Sequence, residues 1–280
     1  TATLTLAVNG ADSWTYDSAA GTLSHSSTPW ILDVSANGLA LTLTNVRVRA
    51  AFPCPLPLGD PVSGGYSIVA IQGRTGQPLL YSGGVFYGGE PNAPGYYITA
   101  VTFPETLTSI GLGAFSHCTQ WSGILNLPPH VREIGSYAFM GCSRLTGELI
   151  LPDTLATLNG GSFSGCGFSS KTVFIPSSLT TLEGNTFSWA ALTGPVFVPD
   201  SITTYGVAPI NGVNLREISV PSSGVSFSIN AFNSCAALTN VTFRTGYPRS
   251  VAATLFGKSA NAVVYIYYAY LSSWQPHVSG

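Results

Sequence analysis

Six prolines set the period of this chain. Pro104, Pro128, Pro152, Pro176, Pro199 and Pro221 stand 24, 24, 24, 23 and 22 residues apart. A second series keeps step with them: Ala114-Phe115, Ala138-Phe139, Ser162-Phe163, Thr186-Phe187 and Ala231-Phe232, with Ala208-Pro209 filling the gap. Three residues further on comes a third series, Cys118, Cys142, Cys166, Ala190, Gly212 and Cys235. Three ladders in register define an internal repeat of leucine-rich-repeat length. A unit this short cannot bury its own apolar face, so the units must stack into a solenoid with one continuous core.

Each unit reads as a short strand ending at the proline, a turn, a small apolar segment such as Leu107 to Gly111, and an aromatic-containing turn. Residues one and three before a proline share a face of the strand. Those rows are apolar throughout: Phe103, Leu127, Leu151, Ile175, Val198, Val220, and Val101, Leu125, Leu149, Val173, Val196, Ile218. They are the expected core. The row between them, Thr102, Asn126, Ile150, Phe174, Phe197 and Ser219, should face solvent, and an apolar stripe of Ile150, Phe174 and Phe197 lies in its middle. Ile124, Thr172 and Pro195 belong to the next outward row. Adjacent exposed apolar side chains on a sheet mark an interaction surface, so these six residues are the candidate partner-binding set; the alternatives are that the N-terminal domain folds back over the stripe, or that β-propensity alone selects these residues.

The stretch IGSYAFMGCSRLTGELILPDTL, from Ile134 to Leu155, resembles the BspA-like leucine-rich repeats of bacterial and protist surface proteins. That resemblance covers about two thirds of the chain. It implies an extracellular or cell-surface setting, protein binding, adhesion or a surface coat, and no chemistry. Two departures stand out: the unit around Ala208-Pro209 lacks the aromatic and the cysteine, and Tyr247 to Ala262 loses the pattern. Val263 to Tyr268, with Tyr270, Leu271 and Trp274, looks like the family's terminal cap.

Residues 1–95 lack the ladder. Thr3–Val8, Leu39–Val48 and Ser67–Ile71 alternate with period two between Gly, Pro and Asn punctuation. The expected organisation is therefore an all-β N-terminal domain over 1–95, sandwich-like or capping, and a solenoid of six to seven repeats with a C-terminal cap over 96–280. Gly83 to Gly95 is the expected linker or docking loop. Thr1–Val8 has no basic, apolar leader pattern and reads as the start of a processed chain. Through Thr3, Thr5 and Val8 it is also a candidate edge for pairing with another strand. No apolar run reaches the ~20 residues of a spanning helix, so membrane insertion by this chain is not expected.

Only 8% of residues are charged, against about 25% in a typical soluble domain. A net charge of −2 provides no electrostatic footprint for nucleic acid. The four histidines, His25, His117, His130 and His277, are scattered, and His117 beside Cys118 lacks a second pair at zinc spacing. No metal, cofactor or catalytic residue is expected, and the chain reads as a non-enzyme. Five cysteines leave one unpaired. Stacked Cys118 and Cys142 would lie at disulfide-compatible spacing, but side chains of one ladder point the same way, and a reduced, buried ladder is the favoured reading.

The expected function is thus an extracellular structural and interaction protein, a filament or coat subunit whose partners are proteins, foremost copies of itself. The alternative is a monomeric adhesin-type or viral receptor-binding module for a host protein or glycan. Trp121, Trp189 and Tyr205 are the aromatics that suit glycan stacking, although Trp121 occupies the position of Leu145 and Leu238 and so suits packing between repeats.

Overall fold

The computed structural model describes residues 13–48, 54–72, 85–89, 93–169, 172–211, 214–221, 225–227, 230–246, 250–251, 259 and 261–266. Thr3, Thr5 and Val8, and the cap beyond Ile266, lie outside them. The described chain is almost wholly β, with two short 3-10 turns, and it is a stack of coils, as the repeat predicts.

Four strands open it: β1 (Trp14–Asp17), β2 (Thr22–His25), β3 (Trp30–Asn37) and β4 (Ala40–Val48) form an antiparallel meander. The pairing then becomes parallel. β4 pairs with β6 (Ser67–Ile71), and β6 pairs with β8 (Ser109–Ile110) of the first repeat. β5 (Cys54–Pro57) likewise pairs with β7 (Ile98–Thr102). Strand pairing therefore runs across residue 95 in two places. Trp14 and Trp30 are fully buried beneath these strands, and their indole N–H groups donate to the carbonyls of Pro57 and Pro55, each at 2.8 Å.

Two rows of two- to four-residue strands run along the solenoid. One follows the proline turn: β8, β9 (Glu133–Ile134), β10 (Thr157–Leu158), β12 (Thr181–Leu182), β14 (Thr204–Tyr205), β16 (Ser226–Phe227) and β18 (Ser250–Val251). The other precedes it: β11 (Val173–Phe174), β13 (Val196–Phe197), β15 (Glu217–Val220), β17 (Asn240–Phe243) and β19 (Val263–Ile266), all parallel. Proline divides the rows for a local reason. It forces the preceding residue into extended backbone and has no N–H to continue a ladder. In five successive coils its carbonyl then accepts the N–H three residues on, from Leu107, Val131, Leu155, Leu179 and Ile202. Each of those five side chains is buried.

The aromatic turn is the third wall. Phe115, Phe139, Phe163 and Phe187 stack at 5.5–5.7 Å with ring planes within 9° of parallel. The column extends backward to Phe86, which stacks on Phe115 at 5.0 Å. The N–H groups of Phe86 and Gly88 donate to Ala114 and Ser116 of the next coil. Residues 85–89, within the stretch expected to be a linker or docking loop, therefore dock on the first coil as part of the array. A five-residue excess in the spacing, 29 rather than 24, hides Phe86 from the ladder.

The cysteines fill the column's flank. Cys118, Cys142 and Cys166 each donate Sγ–H to the carbonyl of the aromatic one coil earlier, Phe86, Phe115 and Phe139, at 3.0–3.1 Å. All five cysteines are reduced and buried. Ser259 takes the same place after Phe232, donating to its carbonyl at 2.7 Å. β18, before Ser259, pairs with β16, and β19, after it, pairs with β17, so the described residues Ser250, Val251 and Ser259 keep the repeat's places within Tyr247 to Ala262, where the sequence pattern is lost.

The expected core rows are buried from Leu125 onward, apart from Leu127. Leu127, Val101 and Phe103, near the first turn of the array, are half-buried.

Candidate interaction surface

Parallel pairing places Phe174 beside Phe197 and Phe197 beside Ser219. The two phenyl rings stack at 5.2 Å with planes 12° apart, and they do so on the solvent side. Phe174 is 67% exposed, Phe197 36%, and Ile150, one coil earlier, 68%. In the adjacent row Ile124 is 57% exposed and lies over Gly147, where an added Cβ would come within 2.9 Å of its Cγ1. Thr172 and Pro195 are half-buried beside it. Glu148, exposed, interrupts that row between Ile124 and Thr172, a carboxylate absent from the expected set.

Ser219 is buried, although its row faces outward. Arg244, one coil further on, reaches back across the sheet to cover it. Its guanidinium donates to Ser219 Oγ at 3.0 Å, to Val198 O at 2.5 Å and to Asp200 Oδ1 at 2.7 Å. The apolar stripe thus ends against an Arg244–Asp200 ion pair, with Glu148 and Glu217 along its side. An apolar centre with a charged rim is the usual anatomy of a protein interface.

The three aromatics suited to glycan stacking separate. Trp121 is buried, packed edge-on against Phe115 and Phe139. Tyr205 is buried too, its ring 4.7 Å from that of Phe227, and burial raises its pKa. Trp189 alone is exposed, at 63%.

Of the histidines, His117 is half-buried in an aromatic turn. Its Nδ1 is 2.8 Å from Ser116 Oγ and its ring is 5.9 Å from that of Tyr87; burial lowers its pKa. His25 is buried and holds Asp60 Oδ2 at 2.9 Å through Nε2, under the edge of Trp14. A separation of 35 residues conceals that pair in the sequence. The ladder thiols of Cys118 and Cys166 are held well above the usual range, first by burial and then by the neighbouring Cys142. Among the described residues no group of three or more His, Cys, Asp or Glu could hold a metal ion, and no helix is long and apolar enough to cross a membrane.

A coil of pre-proline strand, proline turn, second strand and aromatic turn defines a leucine-rich-repeat solenoid. Six copies of the BspA type leucine-rich repeat region match residues 95–262, and the chain belongs to that family. It is similar in structure to a leucine-rich cell surface protein from Faecalibacterium prausnitzii A2-165, with a TM-score of 0.59 and 26% identity over 76% of this chain. The chain spans about half of that protein, 52% of its length. A leucine-rich repeat protein from Bacteroides ovatus ATCC 8483 matches over 84% of this chain and 75% of its own, with 19% identity and a TM-score of 0.37. No curated protein matches the chain by sequence. The family and the first neighbour's description fit a surface and protein-interaction role.

Proposed function

We propose that this chain is an extracellular surface subunit that makes protein–protein contacts through the sheet face of Ile150, Phe174 and Phe197, with Ile124, Thr172 and Pro195 beside them, and that its foremost partner is another copy of itself. The exposed, stacked Phe174–Phe197 pair carries the reading. Monomers rarely leave large apolar side chains clustered in water, and here β-pairing holds two rings side by side with no residue above them among those described. Residues 1–95 serve in this reading as the N-terminal cap of the array, and assembly builds a coat or filament.

The energetics set the kind of contact. Burying Ile150, Phe174 and Phe197 contributes roughly 2 kcal/mol each, while association costs on the order of 4–15 kcal/mol. One stripe on one subunit therefore gives a weak contact, and many copies acting together give a firm one.

Sedimentation velocity across a dilution series, with negative-stain microscopy of the same samples, tests this. The wild type is expected to associate in a concentration-dependent way, and the double variant Phe174→Ser/Phe197→Ser to stay monomeric with an unchanged far-UV spectrum. Equal association of the two proteins removes the stripe from the contact. A wild type that stays monomeric at all concentrations removes self-assembly.

A further inference from the structure

The inward row of the pre-proline strands is sealed coil by coil and then opens. Val173, Val196, Ile218 and Val241 are each no more than 1% exposed, whereas Val264, which pairs beside Val241 in β19, is 37% exposed. Ile266, beside the buried Phe243, is half-buried, and Val263 and Tyr265 are exposed on the outward side. β19 ends its sheet, in the order β11-β13-β15-β17-β19, and among the described residues no strand pairs with its far side. The Val263 N–H donates to Thr239 O at 2.7 Å, toward the preceding coil. Strand alternation therefore turns the N–H and C=O groups of Val264 and Ile266 away from it. Natural sheets blunt a free edge with charge, proline or a bulge, and β19, Val-Val-Tyr-Ile, has none of these.

The opposite end is closed. Trp14 and Trp30 are fully buried there, and their indole N–H groups occupy two carbonyls of β5. Stacking end on end would set an open edge against a sealed one. What β19 lacks is one more strand with a single apolar face. Thr1–Val8 has that pattern, Ala2, Leu4, Leu6 and Val8 alternating with Thr1, Thr3 and Thr5. Leu4 and Leu6 match the two-residue spacing of Val264 and Ile266, so they can continue the two inward rows while the threonines lie beside Tyr265.

Distance decides which copy supplies the segment. Val8 is six residues from Trp14 and so lies within about 21 Å of it. The strands from β8 to β18 alone span roughly 29 Å at one strand spacing per coil. Trp14 sits beyond β8 in the sheet order, and β19 follows β18. Val8 of the same chain falls short of β19. We propose that Thr1–Val8 of one copy adds as a strand to the free edge of β19 of the next, joining copies end to end along the solenoid axis through main-chain hydrogen bonds. The contact rests on the same premise as the sheet-face reading, that copies of the chain meet, and uses none of that face's six residues.

Cysteine cross-linking in the full chain tests it, the native thiols being buried. Chains carrying Thr3→Cys or Thr5→Cys are mixed with chains carrying Tyr265→Cys, oxidised with copper phenanthroline and run on non-reducing gels. The expected product is a mixed dimer, lost when Leu4→Asp/Leu6→Asp is added to the donor chain and retained when Phe174→Ser/Phe197→Ser is added to both. A single chain carrying Thr5→Cys and Tyr265→Cys should give a ladder of linked multimers, a readout that needs no aspartate variant. No mixed dimer from either donor, the result expected if residues 267–280 of the same chain cover β19, would overturn the end contact. An internally linked monomer in place of the ladder, or a mixed dimer that survives Leu4→Asp/Leu6→Asp, would do the same. Loss of the mixed dimer in the Phe174→Ser/Phe197→Ser chains also overturns it and leaves the sheet face as the contact between copies.

Discussion

Replacing Phe139 and Phe187 in turn by leucine measures how much the aromatic column contributes beyond ordinary burial. Both rings are fully buried, and leucine retains most of the apolar surface, so the lost area and small cavity are common to both variants and cancel. What differs is the neighbours. Phe139 stacks on two rings, Phe115 at 5.7 Å and Phe163 at 5.5 Å, and meets the Trp121 ring edge-on at 6.0 Å. Phe187 stacks on Phe163 at 5.7 Å, and on its other side the column continues with Pro209. The difference is one stacked and one edge-on contact, each worth about 0.5–1.5 kcal/mol beyond area. Phe139→Leu should therefore cost about 1–3 kcal/mol more than Phe187→Leu. Urea unfolding, followed by both far-UV circular dichroism and tryptophan fluorescence, supplies the two values. Equal losses, or a larger loss at Phe187, would refute the claim that ring stacking rather than bulk burial sets the column's contribution.

Three further outcomes follow from the same packing. Cys142→Ser should cost less stability in urea than Cys142→Ala, because a hydroxyl can donate to Phe115 O as Ser259 donates to Phe232 O; alanine forfeits a hydrogen bond worth about 1 kcal/mol, and the reverse order would show the sulfur acting only by volume. Iodoacetamide at pH 8 should label none of the five cysteines in the native chain and all five in urea, since every thiol is buried and those of Cys54, Cys118 and Cys166 are pushed up by desolvation; mass spectrometry reads the count, and native labelling of Cys118 or Cys166 would contradict their burial. His117 has a folded pKa lowered by burial, so as pH falls below the ordinary histidine value of about 6.5 the unfolded chain takes up a proton that the folded one resists, and stability falls. His117→Asn should lose less stability than the wild type between pH 7.5 and pH 5.5, and parallel losses would remove His117 from the effect.

Much of the architecture is legible in the sequence, because a period of about 24 residues repeats the same physical problem in each coil. The proline ladder locates the turns, and the rows at one and three before each proline locate the core from Leu125 onward, with Leu127 the half-buried exception. The same alternation places Ile150, Phe174 and Phe197 in the outward row. Legibility fails where the ladder's chemistry changes while its geometry does not. Ser259 performs the cysteine's hydrogen bond without being a cysteine. Phe86 belongs to the column but is displaced from the period by an inserted loop. The second strand row, two residues per coil, is too short for an alternation signal to register.

Sequence by itself determined the family, the period, the inward and outward faces of the pre-proline strands and the reduced state favoured for the thiols, since each depends on spacing within one coil. Tertiary structure decided which residues of adjacent coils share a contact. Arg244 covers Ser219 and closes the stripe. Trp121 and Tyr205 turn inward while Trp189 stays outside, and residues 54–72 and 85–89 pair with the repeats across residue 95. Those choices depend on space and hydrogen-bond partners that only the neighbouring coil, about 24 residues away in the chain yet one strand spacing away in space, supplies.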